Sequence, residues 1–393
     1  MPYLDISTDA QLREHCQRWS QCRSIAFDTE FVAEHTYRPV LCLIQVNADG
    51  HLAIIDALAV EDLAPFWRML AEGAQETIVH AGRSELEFSL QAVDEAPARL
   101  FDVQIAAGFA GLEYPAGYGA IASKLLGIKM QKHETRTDWQ RRPLSERQIQ
   151  YALDDVRHLP ALRDALHQRL EKLGRLDWLR QEMALWEATI REAHSHERWR
   201  RVSGNSGLNS RSLAVVRELW KWREAEARRR DRPARRVLRD DLIIEMAKRQ
   251  SADPKRIAAI RGMERGDLRR RLPEMAKCIQ RALDLPEDKM PQVLKRENVP
   301  QLAVLGQFLF AALGSICREA QLAPSLVSSP SDVRELIAYQ SGFLDHRREP
   351  PALSQGWRAE VAGRLFDDLL SGKKAIRIRD PQSDHPLAFE QVE

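Results

Sequence analysis

The chain has 393 residues, 44% hydrophobic and 30% charged, with a net charge of +2. That length predicts two or three domains, and the near-neutral balance excludes a partner selected by the field of the whole molecule. Five scattered cysteines, odd in number and without a Cys-x-x-Cys, exclude a disulfide frame and a cysteine zinc site and point to free thiols in a reducing compartment.

The N-terminus, Met-Pro-Tyr-Leu-Asp-Ile, lacks the basic-then-apolar pattern of a signal peptide. We find no run of about eighteen apolar residues, so no membrane partner and a cytoplasmic location are expected. Strands are expected at Tyr3–Ile6, Ser24–Val32, Val40–Ala48, His51–Ala57 and Glu76–Ala81. Asn47-Ala48-Asp49-Gly50 reads as a hairpin turn. Helices are expected at Asp9–Trp19, at Asp62–Ala71 and from an N-cap at Ser84 to Val93. This mixture predicts an α/β domain whose sheet contains a hairpin.

From Leu100 to Gly174 the pattern is mostly helical. Asp102 reads as a helix N-cap. Ser145 and Gln148 form a capping box that opens a long helix to Leu173, which Pro160 should kink or split. Residues 202–207, Val-Ser-Gly-Asn-Ser-Gly, make the best domain boundary. Residues 208–285 read as four or five short helices. A second, similar helical unit follows from Pro300 to Leu370, and short strands are expected at Ala375–Ile378 and Leu387–Phe389.

Two stretches carry chemistry. In Ser24–Val32, Asp28 and Glu30 stand two positions apart inside an apolar strand, so both point to one face. Paired acids on such a face need a cation, and a divalent metal is the usual answer. Tyr151 and Asp155 stand at i and i+4 on one helix face and could look across a cleft at that pair. Glu85 lies just after the strand that ends at His80 and is the remaining carboxylate candidate; as a first-turn acid it also suits a helix dipole. Asp154 points elsewhere and reads as structural. Residues 221–240 hold nine Lys/Arg against four acids, which is either a solvated face or a phosphate-binding one.

These stretches resemble a known family. Phe27-Asp28-Thr29-Glu30-Phe31 is similar to the first exonuclease motif of the DEDD superfamily, and Thr36 to Gln45 resembles its continuation in ribonuclease D. His80 to Glu87 resembles the second motif, and Tyr151 to Val156 the third in its Tyr-x-x-x-Asp form. The helical units resemble the helicase-and-ribonuclease-D C-terminal domain. The resemblance implies an RNase-H-like α/β exonuclease domain over 1–203, a mixed sheet with helices. Two small all-α helical domains over 208–288 and 296–375 and a tail over 376–393 would follow.

The resemblance also implies a metal-dependent 3′→5′ exoribonuclease that trims structured RNA such as tRNA precursors and releases nucleoside 5′-monophosphates. The cofactors would be two divalent cations, Mg²⁺ or Mn²⁺, with no nucleotide cofactor, and the protein a monomer. Asp28 would bridge both metals, Glu30 and Asp155 would hold the first, and Glu85 would meet the second through water. Tyr151 would orient or help activate the attacking water. His80 would contact substrate, and Arg228, Arg229, Arg235 and Arg236 the RNA backbone. One residue departs from the family: Glu85 stands where the motif has Asp, which displaces its carboxylate by ~1.5 Å on an unchanged backbone. Two alternatives remain open: an exonuclease acting on DNA, and an RNA-binding protein whose catalysis is impaired at Glu85.

Overall fold

The computed structural model describes residues 2–130, 137–195, 197–293, 300–343 and 349–392. The expected start of the second helical unit, residue 296, lies outside the described residues. A six-stranded mixed sheet forms from β1 (Leu4–Ile6), β2 (Ser24–Val32), β3 (Val40–Ala48), β4 (His51–Asp56), β5 (Glu76–Val79) and β6 (Leu100–Asp102). The strand order is β1-β4-β3-β2-β5-β6. The β2–β3–β4 meander is antiparallel, while β1 runs parallel to β4, and β5 pairs parallel with β2 and β6. The hairpin turn is made by Asp49 and Gly50, both at positive φ (44° and 93°), the geometry a right-twisted two-residue turn requires.

Alternation along β2 builds the two layers. Ile25 and Phe27 pack with Ile44 and Val46 against α1 (Asp9–Trp19) and α2 (Ala64–Glu72), through Leu12, Trp19, Phe66 and Trp67. Ala26, Asp28 and Glu30 share the opposite face. There α4 (Val103–Phe109), α5 (Tyr118–Leu126), α6 (Glu146–Arg157) and α7 (Leu159–Lys172) cover the sheet. Between these layers, α3 (Arg83–Val93) follows β5, and α8 (Leu176–Ser195) closes the domain. The capping box at Ser145 is present. The long helix expected to Leu173 is split at His158, as Pro160 predicts: it cannot donate into the α6 ladder and instead starts α7.

Three local expectations differ from the structure. The N-cap of α3 is Gly82, not Ser84, and makes no side-chain cap bond. Strand β6 lies in a stretch expected to be helical and is set by its parallel pairing with β5. The region 208–285 holds one 21-residue helix, α9 (Ser210–Arg230), and shorter ones, α10 (Ala234–Val237), α11 (Asp240–Arg249), α12 (Pro254–Ala258), α13 (Gly266–Arg269) and α14 (Leu272–Leu283). It has its own core, with Leu213, Val216, Leu219, Ile243, Met263 and Ile279 at its centre.

The last helices do not form a separate core. Leu309, Leu313 and Ile316 of α15 (Pro300–Glu319), Leu336 and Ile337 of α16 (Pro330–Gln340), Trp357 and Phe366 belong to the same cluster as α4 to α8. Helix α15 is long and apolar enough by composition to cross a membrane, contrary to our expectation; Gln301, Gln307, Arg318 and Glu319 interrupt the run as read from sequence. Its buried face packs inside the protein. Trp357 anchors this junction, with its ring 4.7 Å from Phe109 and 6.0 Å from Trp178, and its indole N–H donating to Glu182 (3.1 Å). Trp357 is 2% exposed. Trp357→Ala is therefore expected to cost about 3–5 kcal/mol, read as a drop in the urea midpoint. The β-hairpin of β7 (Lys374–Ile378) and β8 (Leu387–Gln391) ends the fold.

Candidate active site

The site is built where β2 runs past the end of β5. Pairing between these strands stops at Ala26 and Ile78, so Asp28 to Val32 are free on that side. A β-bulge falls between Glu30 and Phe31 in the ladder to β3, a device that re-aims side chains beside functional sites. Asp28 and Glu30 face α6, an amphipathic helix that buries Ala152, Leu153 and Val156 and turns Tyr151 and Asp155 to the acids. The Tyr151 phenol hydrogen-bonds the Asp155 carboxylate.

Electrostatics ties the four acids together. Burial, then the charges of Asp28, Asp155 and Glu85, pushes Glu30 up to about 8. Burial, then Asp28, pushes Asp155 up to about 7, with Tyr151 pulling it back. Asp28 and Glu85 are both raised, chiefly by burial, and the Thr29 backbone N–H partly offsets the rise on Asp28. Burial and then Asp155, Glu30 and Asp28 raise the Tyr151 phenol, so it stays protonated and can donate.

Each expected residue has a definite place. Asp28, Glu30, Asp155 and Tyr151 converge. Glu85 joins them through its charge, but its carboxylate accepts a 2.5 Å hydrogen bond from the Thr29 hydroxyl and is only 4% exposed. Thr29 lies on the other face of β2 from Asp28, so the longer side chain reaches around the strand edge. His80 is turned aside: its Nε2 donates to Ala116 O (2.9 Å) and its ring lies 5.8 Å from Tyr118. Asp154 is structural, held by Arg157 (2.9 Å) and Gln150 (2.7 Å). The four arginines lie on the helical domain. Arg229 is paired bidentately with Glu226 and Arg228 covers the Tyr37 ring, while Arg235 and Arg236 face an open cleft.

Several supporting residues escaped the sequence reading. Asp102 caps α4, as expected, but its carboxylate also accepts from Ala81 N (3.2 Å) and Gly82 N (2.9 Å). It thereby holds the turn that leads into α3 and Glu85, where Ala81 sits at φ +56°. Asn47, read only as a turn residue, donates to Val156 O and Arg157 O and so anchors the C-terminus of α6. Tyr118 donates to Asp154 O and accepts from His158 N, bracing the break between α6 and α7. Arg142 binds Asp56 bidentately (2.6 and 2.7 Å) and Cys42 O, tying the loop before α6 to β3 and β4. Gln45 pairs directly across from Asp28, fully buried, with both amide atoms lacking a partner among the described residues. The signal for it was a glutamine inside an apolar strand.

The donor set fits a divalent cation. It is all oxygen, acidic, crowded and free of ion pairs among the described residues, and an unpartnered amide lies beside Asp28. Among the described residues no three acidic, His or Cys side chains are drawn to one point; Glu85 in particular is turned to Thr29.

The sheet, the strand acids and the Tyr-x-x-x-Asp helix define a 3′→5′ exonuclease of the DEDD class. Residues 3–171 match the family model described as 3'-5' exonuclease, and residues 212–279 match the HRDC domain. The ribonuclease D of Gluconacetobacter diazotrophicus is 35% identical over 378 residues, covering 95% of this chain and 94% of that protein. That of Escherichia coli is 30% identical over 372 residues, covering 94% and 99%. The crystal structure of Escherichia coli RNase D, described as an exoribonuclease involved in structured RNA processing, superposes with a TM-score of 0.82 at 28% identity, over 94% of this chain and 99% of that one. The chain belongs to the ribonuclease D family.

Proposed function

We propose that this protein trims the 3′ ends of structured RNA such as tRNA precursors, using two divalent cations, Mg²⁺ or Mn²⁺, and releasing nucleoside 5′-monophosphates. The coarser activity, 3′→5′ hydrolysis of RNA with divalent metal, comes with the family. The observation that carries the reading is the meeting of Asp28 and Glu30 on β2 with Tyr151 and Asp155 on α6, in a nest of acids that burial and mutual repulsion favour protonating and that a cation would hold ionised. Bound there, paired metals supply an activated water and neutralise the leaving oxygen. In this proposal Asp28, Glu30 and Asp155 would hold the metals directly, Asp28 as the shared ligand, and Glu85 would act on the second through water. The chain's own groups do the rest. Tyr151 donates its one phenol proton to Asp155, which leaves the phenol oxygen to accept from the attacking water and orient it. Asn47 and Tyr118 fix α6 so that this face cannot rotate away. Gln45 presents its amide beside Asp28.

The experiment is digestion of matched RNA and DNA oligomers with a single-stranded 3′ tail, with Mg²⁺, Mn²⁺ or a chelator. Chelator-sensitive release of monophosphates from RNA in preference to DNA is expected; equal or faster DNA digestion overturns the RNA assignment. Glu85 is tested separately. Glu85→Ala is expected to lower the rate roughly 10–100-fold, the range for groups that act on a metal from outside its inner shell. Glu85→Asp, too short to keep the Thr29 bond, is expected to need less Mg²⁺ for half-maximal rate. A rate for Glu85→Ala equal to that of the parent removes Glu85 from the site.

The same proposal divides the chain at 1–203, 208–288 and 296–375, the last being a second helical domain of the same type, with 376–393 as a tail. The separate core of the first helical domain supports it in part. It takes the protein as a cytoplasmic monomer without a nucleotide cofactor, with five free thiols as support, and light scattering tests the monomer.

A further inference from the structure

The loop between β2 and β3 leaves the exonuclease domain and docks on the first helical domain. Tyr37 N–H donates to Asp231 (3.0 Å), the Tyr37 hydroxyl donates to Glu224 (3.3 Å), and the Arg228 guanidinium lies 5.6 Å from its ring centre. Beside this contact His35 Nδ1 stands 3.2 Å from Arg236 Nη1. Between the two domains opens a cleft of about 650 Å³ lined by His35, Arg232, Arg235, Arg236, Arg239 and Arg265. At ~30 Å³ per water, this is far more room than one phosphate group needs.

Three of the five guanidiniums are held by acids of their own domain: Arg235 by Asp240 (3.1 Å), Arg239 by Asp241 (2.6 Å) and Arg265 by Asp267 (2.8 Å). Arg236 meets His35, and Arg232 makes no side-chain bond among the described residues. Asp240 is shared with Arg223 (2.5 Å), so the five guanidiniums of the cleft outnumber the carboxylates that hold them. Among the described residues no apolar side chain lines the space, which argues against a greasy ligand. Planar, forked donors in a concave, positive wall suit phosphate oxygens.

Position decides which phosphates. His35 is five residues past Glu30, so its Cα lies within ~18 Å of that acid, at 3.6 Å per extended residue. A strand whose 3′ end sits among the acids therefore has this cleft within a few nucleotides. We propose that the interdomain cleft is a phosphate clamp for the RNA strand upstream of the 3′ end, completed only when the β2–β3 loop is docked on the helical domain. The proposal rests on the exoribonuclease reading and adds a second, sequence-blind anchoring point to it. It holds long substrates and leaves a dinucleotide untouched.

The test uses the full chain and a labelled single-stranded 20-nucleotide RNA, with binding measured in chelator between 50 and 200 mM salt. Arg232→Gln/Arg236→Gln is expected to weaken binding roughly 100-fold, about ten-fold per charged contact. The slope of log affinity on log salt should fall by about 1.4, at ~0.7 per single-strand contact. Arg232→Lys/Arg236→Lys should restore the slope, which a merely structural role would not, and Arg249→Gln, on the exposed face of α11, should match the parent. With Mg²⁺, cleavage of a dinucleotide by the double Gln variant should equal that of the parent, while KM for the long RNA rises. Parent-like affinity and slope in a folded Arg232→Gln/Arg236→Gln variant overturn the clamp. If the parent binds RNA with this contrast but cleaves neither the dinucleotide nor the long RNA with Mg²⁺ or Mn²⁺, the exonuclease reading fails and the clamp stands.

Discussion

Asp28→Asn is expected to reduce the rate of 3′-end trimming by at least about 10³-fold while leaving RNA affinity unchanged. Asp28 is the acid whose charge reaches Glu30, Glu85, Asp155 and Tyr151 alike. That reach supports the bridging role proposed for it. Metal assistance contributes several kcal/mol to such reactions, and each 1.36 kcal/mol is a factor of ten. Single-turnover rates with saturating enzyme separate this loss from weaker binding. The substitution should not unfold the protein, because it removes a buried charge that repels its neighbours and keeps the shape. A residual rate within ten-fold of the parent, with Mg²⁺ present, would remove Asp28 from the centre of the mechanism.

The second large effect is on stability, and it depends on pH and metal together. Glu30 and Asp155 titrate near 8 and 7 in the folded protein, above their ordinary values of 4.5 and 3.8. The folded state therefore holds more protons than the unfolded one between about pH 4 and pH 8. Their contribution is fully present below the ordinary values and is lost as pH rises through the folded ones. In chelator the melting temperature should fall from pH 5.5 to pH 8.5, by an amount on the order of 2–4 kcal/mol in stability. Added Mn²⁺ should raise the melting temperature more at pH 8.5 than at pH 5.5, because protonated carboxyls do not ligate metal. Asp28→Asn should flatten both trends. A melting temperature in chelator that rises over this interval, or a metal effect independent of pH, would contradict the acid nest.

What was legible in the sequence was local. Strand β2 was bounded correctly at Ser24–Val32, because apolar residues flank a period-two pair of acids. The meander followed from two apolar runs and a turn with Asp49-Gly50. Helix α6 was opened by its capping box, and Pro160 marked the break before α7. The order of the three motifs supplied the fold class through the family resemblance.

The misses share a cause. Ser84 was assigned as the cap of α3 because a side-chain cap is a local rule; the helix instead starts from Gly82, in a turn held by Asp102, some twenty residues away. The Thr29–Glu85 bond spans 56 positions and the Asn47–Val156 bond 109. Neither period nor propensity reports on such pairs, since they depend on which strand end meets which helix turn. The same holds for Trp357, which looks like an ordinary helix residue until it is found wedged between Phe109 and Trp178. Charge runs were equally ambiguous. Of Arg228, Arg229, Arg235 and Arg236, identical by composition, two are engaged by Tyr37 and Glu226 and two face the cleft.

The sequence by itself determined the acids, their strand and helix, and the chemistry they suit, because spacing along one element fixes which side chains share a face. How the site is held and what surrounds it depend on the packed layers. Packing turned Glu85 to Thr29, set Gln45 unpartnered beside Asp28, and joined the last helices to the core of the exonuclease domain. It also closed an arginine-lined cleft between a loop of one domain and the helices of another. Each of these depends on contacts between segments distant in the chain, and the energy of such contacts exists only once the layers have packed.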